Sequence, residues 1–256
     1  MKIAVLMKTA LDTSQLRVRD TVVVEETPLK ISDIDRNAVE EAVKLKGQDK
    51  AYGVTVLKWG PLQRRIQEAE NVLREALAMG LDEAYLVADE KLINASHAAT
   101  AKAIAAVVKK VGADLVLAGE ATVDNYTGQI PPRVAAELGW PVVTYVRELK
   151  VEGGKLVAKR DLEDHVEVVE VPLPAVVSVT REINQPRIPT LLAIRAAMKK
   201  PINKLTLADL GITVEPRVSA AYRPLLMQRK KVVIKDGTPE EKAEKLIQYL
   251  KQEGVI

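Results

Sequence analysis

The stretch DNYTGQIPPR, Asp124–Arg133, crowds chemistry-bearing side chains into a region otherwise built for packing. It follows the apolar run ADLVLAGEATV and leads into VAAELGWP. A buried strand followed at once by a helix places the loop between them at the strand's carboxyl end, where open α/β sheets bind ligands. A helix beginning near Thr127 would aim its unpaired amides and positive dipole end at an anion. Thr127 offers a hydroxyl, Asn125 and Gln129 offer amides, and Gly128 permits close approach to the backbone. The stretch has no Lys of its own, so it suits phosphate binding better than phosphoryl transfer. The same letters are also explained by Asp124, Asn125 or Thr127 acting as a simple helix N-cap.

Other candidates have blander readings beside them. KWGP ends a second strand before a helix, so Lys58, Trp59 and Gly60 are placed to flank the same crevice; core or interface packing also explains Trp59. In SDIDRN, which begins at Ser32, the acids are expected to cap and start a helix, with Glu40 and Glu41 on its solvated face. His97 and His165 are the only histidines, which argues against a His-rich metal site or a Ser–His relay. His165, in the acidic strand EDHVEVVE, is expected to be exposed. There is no Cys, which excludes disulfides, thiolate catalysis and Cys-bound clusters. With 38 basic and 35 acidic residues the net charge is only +3, and RKK (Arg229–Lys231) is too short for a nucleic-acid patch.

The elements that must position these residues follow from the pattern. Apolar residues make up 47% of the 256, enough for a full core, and with no Phe that core must be Val, Leu, Ile and Ala. Strand-like runs KIAVLMK, YGVTVLKWG, EAYLVAD and ADLVLAGE alternate with helical segments Asp35–Gly47, Pro61–Gly80, Ser96–Gly112 and one opening at TGQIPPR. Such alternation predicts an α/β fold, a doubly wound, mostly parallel sheet covered on both faces. After Trp140 the alternation becomes strand-like, with EGGK as a hairpin turn, and predicts an antiparallel addition at one edge. Thr190–Lys200 reads as a helix between two prolines. From Glu215 the chain turns polar and ends in an amphipathic helix from about Pro239, an extended C-terminal arm that leans on another surface. The first residues lack a signal-peptide pattern and no segment has the roughly 18 apolar residues of a membrane span, so a cytoplasmic protein that is not integral to a membrane is expected.

Five segments together resemble the β subunit of electron transfer flavoproteins: KIAVLMK with its following Asp, AVEEAVKLK, REALAMGLDEAYLV, DLVLAGEATVDNYTGQIPPRVAAELGWP, and LPAVVSVTREINQPRIPTLLAIRAAMKK. The last, with NQPR and PTL, is the most diagnostic, and the resemblance spans residues 1–212. It implies an adenine-nucleotide-binding α/β domain over 1–212 and an arm over 213–256 that packs on an α subunit. The implied cofactors are FAD and a structural AMP, the AMP being replaced by a second FAD, with NADH bound nearby, in electron-bifurcating members. Carried over by position, Asp124, Asn125, Thr127, Gly128, Gln129 and Ile130 hold the nucleotide phosphate, with added contacts from Leu6, Lys8, Ser32, Lys58, Trp59 and Gly60. Ser32 stands where many relatives have Asn, and the helix after Gly60 is longer than in many members. Leu191 matches an exposed Leu that anchors in a dehydrogenase; core packing of Leu191 and Leu192 is the reading from the residues alone. The function implied is that of an electron carrier between dehydrogenases and a quinone- or ferredoxin-linked acceptor. The alternatives are a bifurcating subunit and a non-redox nucleotide-binding regulator. No nucleic acid is among the implied partners.

Overall fold

The computed structural model describes residues 1–19, 21, 23–215 and 230–256. The chain divides into two compact units, Met1–Tyr222 and Arg223–Ile256.

Short apolar runs bounded by turns become the buried strands of the first unit: β1 (Ile3–Leu6), β4 (Ala51–Val56), β5 (Glu83–Val87), β6 (Leu115–Gly119) and β10 (Ala175–Val179). All residues of β1, β4, β6 and β10 are buried, as strands covered on both faces must be. They belong to one sheet of order β11-β5-β4-β1-β6-β10-β7-β8-β9, where β7 is Val142–Glu152, β8 is Lys155–Asp161, β9 is Val166–Pro172 and β11 is Ile202–Leu205. Pairing is parallel from β11 to β7 and antiparallel for β7–β8–β9, with the first hairpin turning at Gly153–Gly154. A small antiparallel ribbon, β2 (Thr9–Leu11) with β3 (Leu29–Ile31), was not legible in the sequence.

Helices cover both faces. On one side lie α1 (Asp33–Leu45) and α2 (Leu62–Met79), with Ala38, Val39, Leu73 and Leu77 packed on Ile3, Val5 and Leu117. On the other lie α3 (His97–Val111) and α4 (Ile130–Leu138), with Ile104, Val108 and Val134 packed on Ala4, Val54 and Val116. Local signals set the ends of α3: Ser96 Oγ accepts from the Ala99 amide at 3.2 Å, and Gly112 closes the helix in the left-handed conformation.

Strand order reverses at β1. The chain leaves β1 for β4 and β5 on one side and returns to β6 on the other, so β1 is hydrogen-bonded to both β4 and β6. Their carboxyl ends come level, Leu6 opposite both Val54 and Ala118. Loops diverge there in opposite directions and leave a crevice.

The helix α5 (Leu191–Ala197) follows a segment tied to α1 by polar contacts. Glu40 takes Arg187 through Nε (2.7 Å), Nη2 (2.9 Å) and the backbone amide (3.1 Å). Asn37 and Asn184 bond each other's backbone carbonyls, and Asn184 also donates to Glu41 at 2.9 Å. The expected solvated face at Glu40 and Glu41 is thus overturned: both are buried, because the 184–187 segment folds over them. In the second unit, α6 (Pro239–Gln252) starts with a capping box in which Thr238 and Glu241 bond each other's backbone amides. Arg229 of the RKK run lies outside the described residues. Among those described, no helix is long and apolar enough to cross a membrane.

Candidate functional site

The switch-point crevice is partly enclosed and opens to solvent. Leu6, Val56, Ile104 and Ala118 give it an apolar floor. Lys8, Lys58, Asn125, Thr127, Gly128 and Gln129 ring it with polar groups, and Ile130 closes the α4 side. Eight of the residues expected from the sequence therefore meet in one place. Ser32, Trp59, Gly60 and Asp124 do not line it, and Leu191 belongs to another surface.

Those four shape the walls instead. The Asp124 side chain is 2% exposed and takes Lys8 Nζ at 2.7 Å, the Thr122 hydroxyl at 2.9 Å and the Leu11 amide at 3.2 Å. It fastens the loop, and Lys8 neutralises its charge. Lys8 Nζ also stands 5.5 Å from the centre of the Trp59 ring, which is buried beneath it. Ser32, buried before α1, accepts from the Val123 amide at 3.4 Å. Gly60 accepts from the buried Arg65 guanidinium at 3.3 Å.

The helix after the loop begins three residues later than expected, at Ile130 rather than Thr127. The reason is local: Tyr126 and Gly128 take positive φ, 47° and 61°, which no helix propagates. Gln129 holds the N-cap position without a side-chain cap. Pro131 and Pro132 follow, and neither has an N–H, so an anion at this helix start would rely on Ile130 and on amides of the preceding loop. Gly128 is required there twice over. Its φ is left-handed, and a Cβ would come within 3.3 Å of the Glu120 carbonyl, on the crevice wall.

Several lining residues were not singled out from the sequence: Asp35, His97, Thr100, Ile104, Glu120 and Thr122. Asp35 was expected to help cap α1. It is instead buried, with Oδ2 taking the Lys8 amide at 2.8 Å and Oδ1 the Gly119 amide at 3.2 Å, so it ties the ends of β1 and β6 together. The absence of a side chain at Gly119 makes room: a Cβ would stand 2.7 Å from Asp35 Oδ1. Burial pushes the Asp35 carboxyl up from 3.8 to about 7, against the pull of the two amides and of Lys8. Burial, and then the charge of Glu182, also raise Glu120 at the rim. His97 Nε2 lies 3.3 Å from Thr127 Oγ1, bridging α3 and the loop. His97 was visible as the first residue after a capping Ser; its reach across the crevice was not. His165 is exposed beside Asp164, as expected. Among the described residues no cluster of acids and histidines could hold a metal ion.

An apolar floor, a rim of amides and hydroxyls, two lysines and a glycine-lined approach suit a flat aromatic base with an anionic tail. The residues fit an adenine nucleotide. The amides, hydroxyls and lysines of its wall can bind and position such a group.

Leu191 and Leu192 are both exposed, at 79% and 77%, on α5, next to Ile188 at 92%. Core packing of the pair is excluded.

A family model described as the electron transfer flavoprotein domain matches residues 20–210. The electron transfer flavoprotein subunit beta of Thermoanaerobacterium thermosaccharolyticum is 42% identical over 217 residues, covering 83% of this chain and 81% of that protein. Its counterpart in Megasphaera elsdenii is 36% identical, covering 81% and 79% respectively. The caffeyl-CoA reductase-Etf complex subunit CarD of Acetobacterium woodii is 37% identical, covering 84% and 82%. With the parallel sheet, its antiparallel addition and these matches over most of its length, the chain belongs to the electron transfer flavoprotein family, among its β subunits.

Proposed function

We propose that this chain is the β half of a heterodimeric electron transfer flavoprotein and holds an adenine nucleotide, AMP, in the switch-point crevice. The observation that carries the reading is the convergence of Lys8, Lys58, Thr127, Gly128 and Gln129 on one crevice at the β1/β6 reversal. The base lies on Leu6, Val56 and Ile104, and the phosphate meets the Thr127 hydroxyl and the amides leading to Ile130. Asp124 and Ser32 hold that loop in place, and Lys8 pairs with the Asp124 carboxylate. Flavin, bound with the α subunit as FAD, supplies the redox chemistry. The second unit, with Leu246 and Ile247 about half exposed on α6, packs on the α subunit. Leu191 docks on a dehydrogenase or on a quinone- or ferredoxin-linked partner, in a small apolar contact suited to brief encounters. The protein works in the cytoplasm.

A second reading has one observation in its favour, the similarity to a subunit of a caffeyl-CoA reductase-Etf complex. In it the crevice holds FAD in place of AMP, NADH binds nearby and the complex bifurcates electrons. Purifying the native complex, denaturing it and chromatographing the released nucleotides separates the two. Gly128→Val should abolish nucleotide retention, and Thr127→Val should weaken it by about 1–3 kcal/mol. Full nucleotide in the Gly128→Val protein would reduce the loop to a helix start and sink both readings.

A further inference from the structure

We infer that His97 is a further nucleotide-binding residue, which directs the Thr127 hydroxyl at the bound phosphate and adds positive charge beside it when protonated. The inference rests on the nucleotide reading of the crevice above.

His97 is the first residue of α3, and the cap made by Ser96 Oγ to the Ala99 amide fixes the helix start beneath it. His97, Thr100 and Ile104 are spaced three and four residues apart, so they form one stripe of the helix, and all three line the crevice. This stripe faces the Asn125–Ile130 loop across the opening. The two walls are joined where His97 Nε2 comes within 3.3 Å of Thr127 Oγ1.

A threonine hydroxyl has one hydrogen to give and lone pairs to receive. If Nε2 carries its hydrogen, it donates to Thr127 Oγ1, and the hydroxyl hydrogen must then point elsewhere. A phosphate entering past Gly128 is the acceptor assigned to it here. Both the neutral Nε2–H tautomer and the imidazolium make this donation; only the imidazolium adds charge. Imidazole is the side chain that ordinarily changes charge between about pH 5 and 8. The other charged groups facing the crevice are Lys8 after β1, Lys58 after β4, Asp35 from α1 and Glu120 after β6, while Asp124 is paired with Lys8. Burial raises Asp35 to about 7, so the contribution of His97 is isolated by comparing variants rather than from one profile.

The test uses the full-length chain in its native complex, stripped of nucleotide, with AMP and adenosine as calorimetric probes. Adenosine shares base and ribose with AMP and lacks only the phosphate. His97→Ala should weaken AMP roughly tenfold and leave adenosine unchanged. His97→Gln keeps an N–H donor without a titrating charge. It should bind AMP nearly as well as the unaltered protein at pH 8 and fall behind it as the pH drops to 6. Unchanged AMP affinity in His97→Ala would overturn the inference. So would an equal loss for AMP and adenosine, which would make His97 a tether of the loop. If the unaltered protein binds neither probe, the nucleotide reading fails at its base, whatever the variants do.

Discussion

Asp35 sits where a charge is hardest to keep, beneath the crevice with no exposure worth counting. Its folded pKa, about 7, lies above the 3.8 of the unfolded chain. The neutral acid is therefore the form that the fold favours. Stability from this group is fully present below pH 3.8 and is lost as pH rises through about 7. The gap corresponds to about 4 kcal/mol, at roughly 1.4 kcal/mol per unit of pKa. Asp35→Asn removes the titration. It also turns an amide nitrogen toward the Lys8 or Gly119 N–H, a pH-independent cost of about 1–3 kcal/mol. Urea unfolding of both proteins between pH 4 and pH 8.5 should show the parent's advantage over the variant shrinking with pH, most steeply from about pH 4.5 to 6.5 and levelling off above about pH 7.5. Other groups titrate too, among them Glu40, which Arg187 holds below the usual carboxylate range, but they cancel in the difference. A difference that stays flat across the range would show that Asp35 is ionised throughout in the fold, and that its two amide donors outweigh burial.

Leu191→Ala should slow electron exchange with the redox partner and leave the melting temperature nearly unchanged; a loss of about 2–5 kcal/mol would instead mark a core side chain and end the docking proposal. Glu40→Ala strips Arg187 of its acceptor. Because Arg187 is half exposed and rehydrates, urea unfolding should register a loss of only about 1–2 kcal/mol, with faster proteolysis within residues 184–190 as the accompanying sign. Deleting residues 236–256 should weaken pairing with the α subunit while residues 1–215 keep their melting transition; pairing at full affinity would show that α6 is no clamp.

What the sequence determined by itself is what its local chemistry can dictate. The alternation of apolar runs and amphipathic segments fixes the parallel sheet, because each strand and each helix stripe must be buried on its neighbours. Ser96 and Gly112 mark the ends of α3 as expected, because a cap is made within a few residues. The loop at Asp124–Ile130 stood out for its crowding of polar groups. Only the tertiary structure decided which of those groups face the crevice. Asp124 turns inward because Lys8 waits 116 residues away, and Glu40 and Glu41 are buried because Asn184 and Arg187, more than 140 residues distant, fold over them. Asp35 looks like any helix-starting acid until the amides of Lys8 and Gly119 close on it. Periodicity registers which face of an element is apolar. It does not register which distant polar group will meet a given side chain, since that depends on strand order, and strand order is settled by packing over the whole sheet.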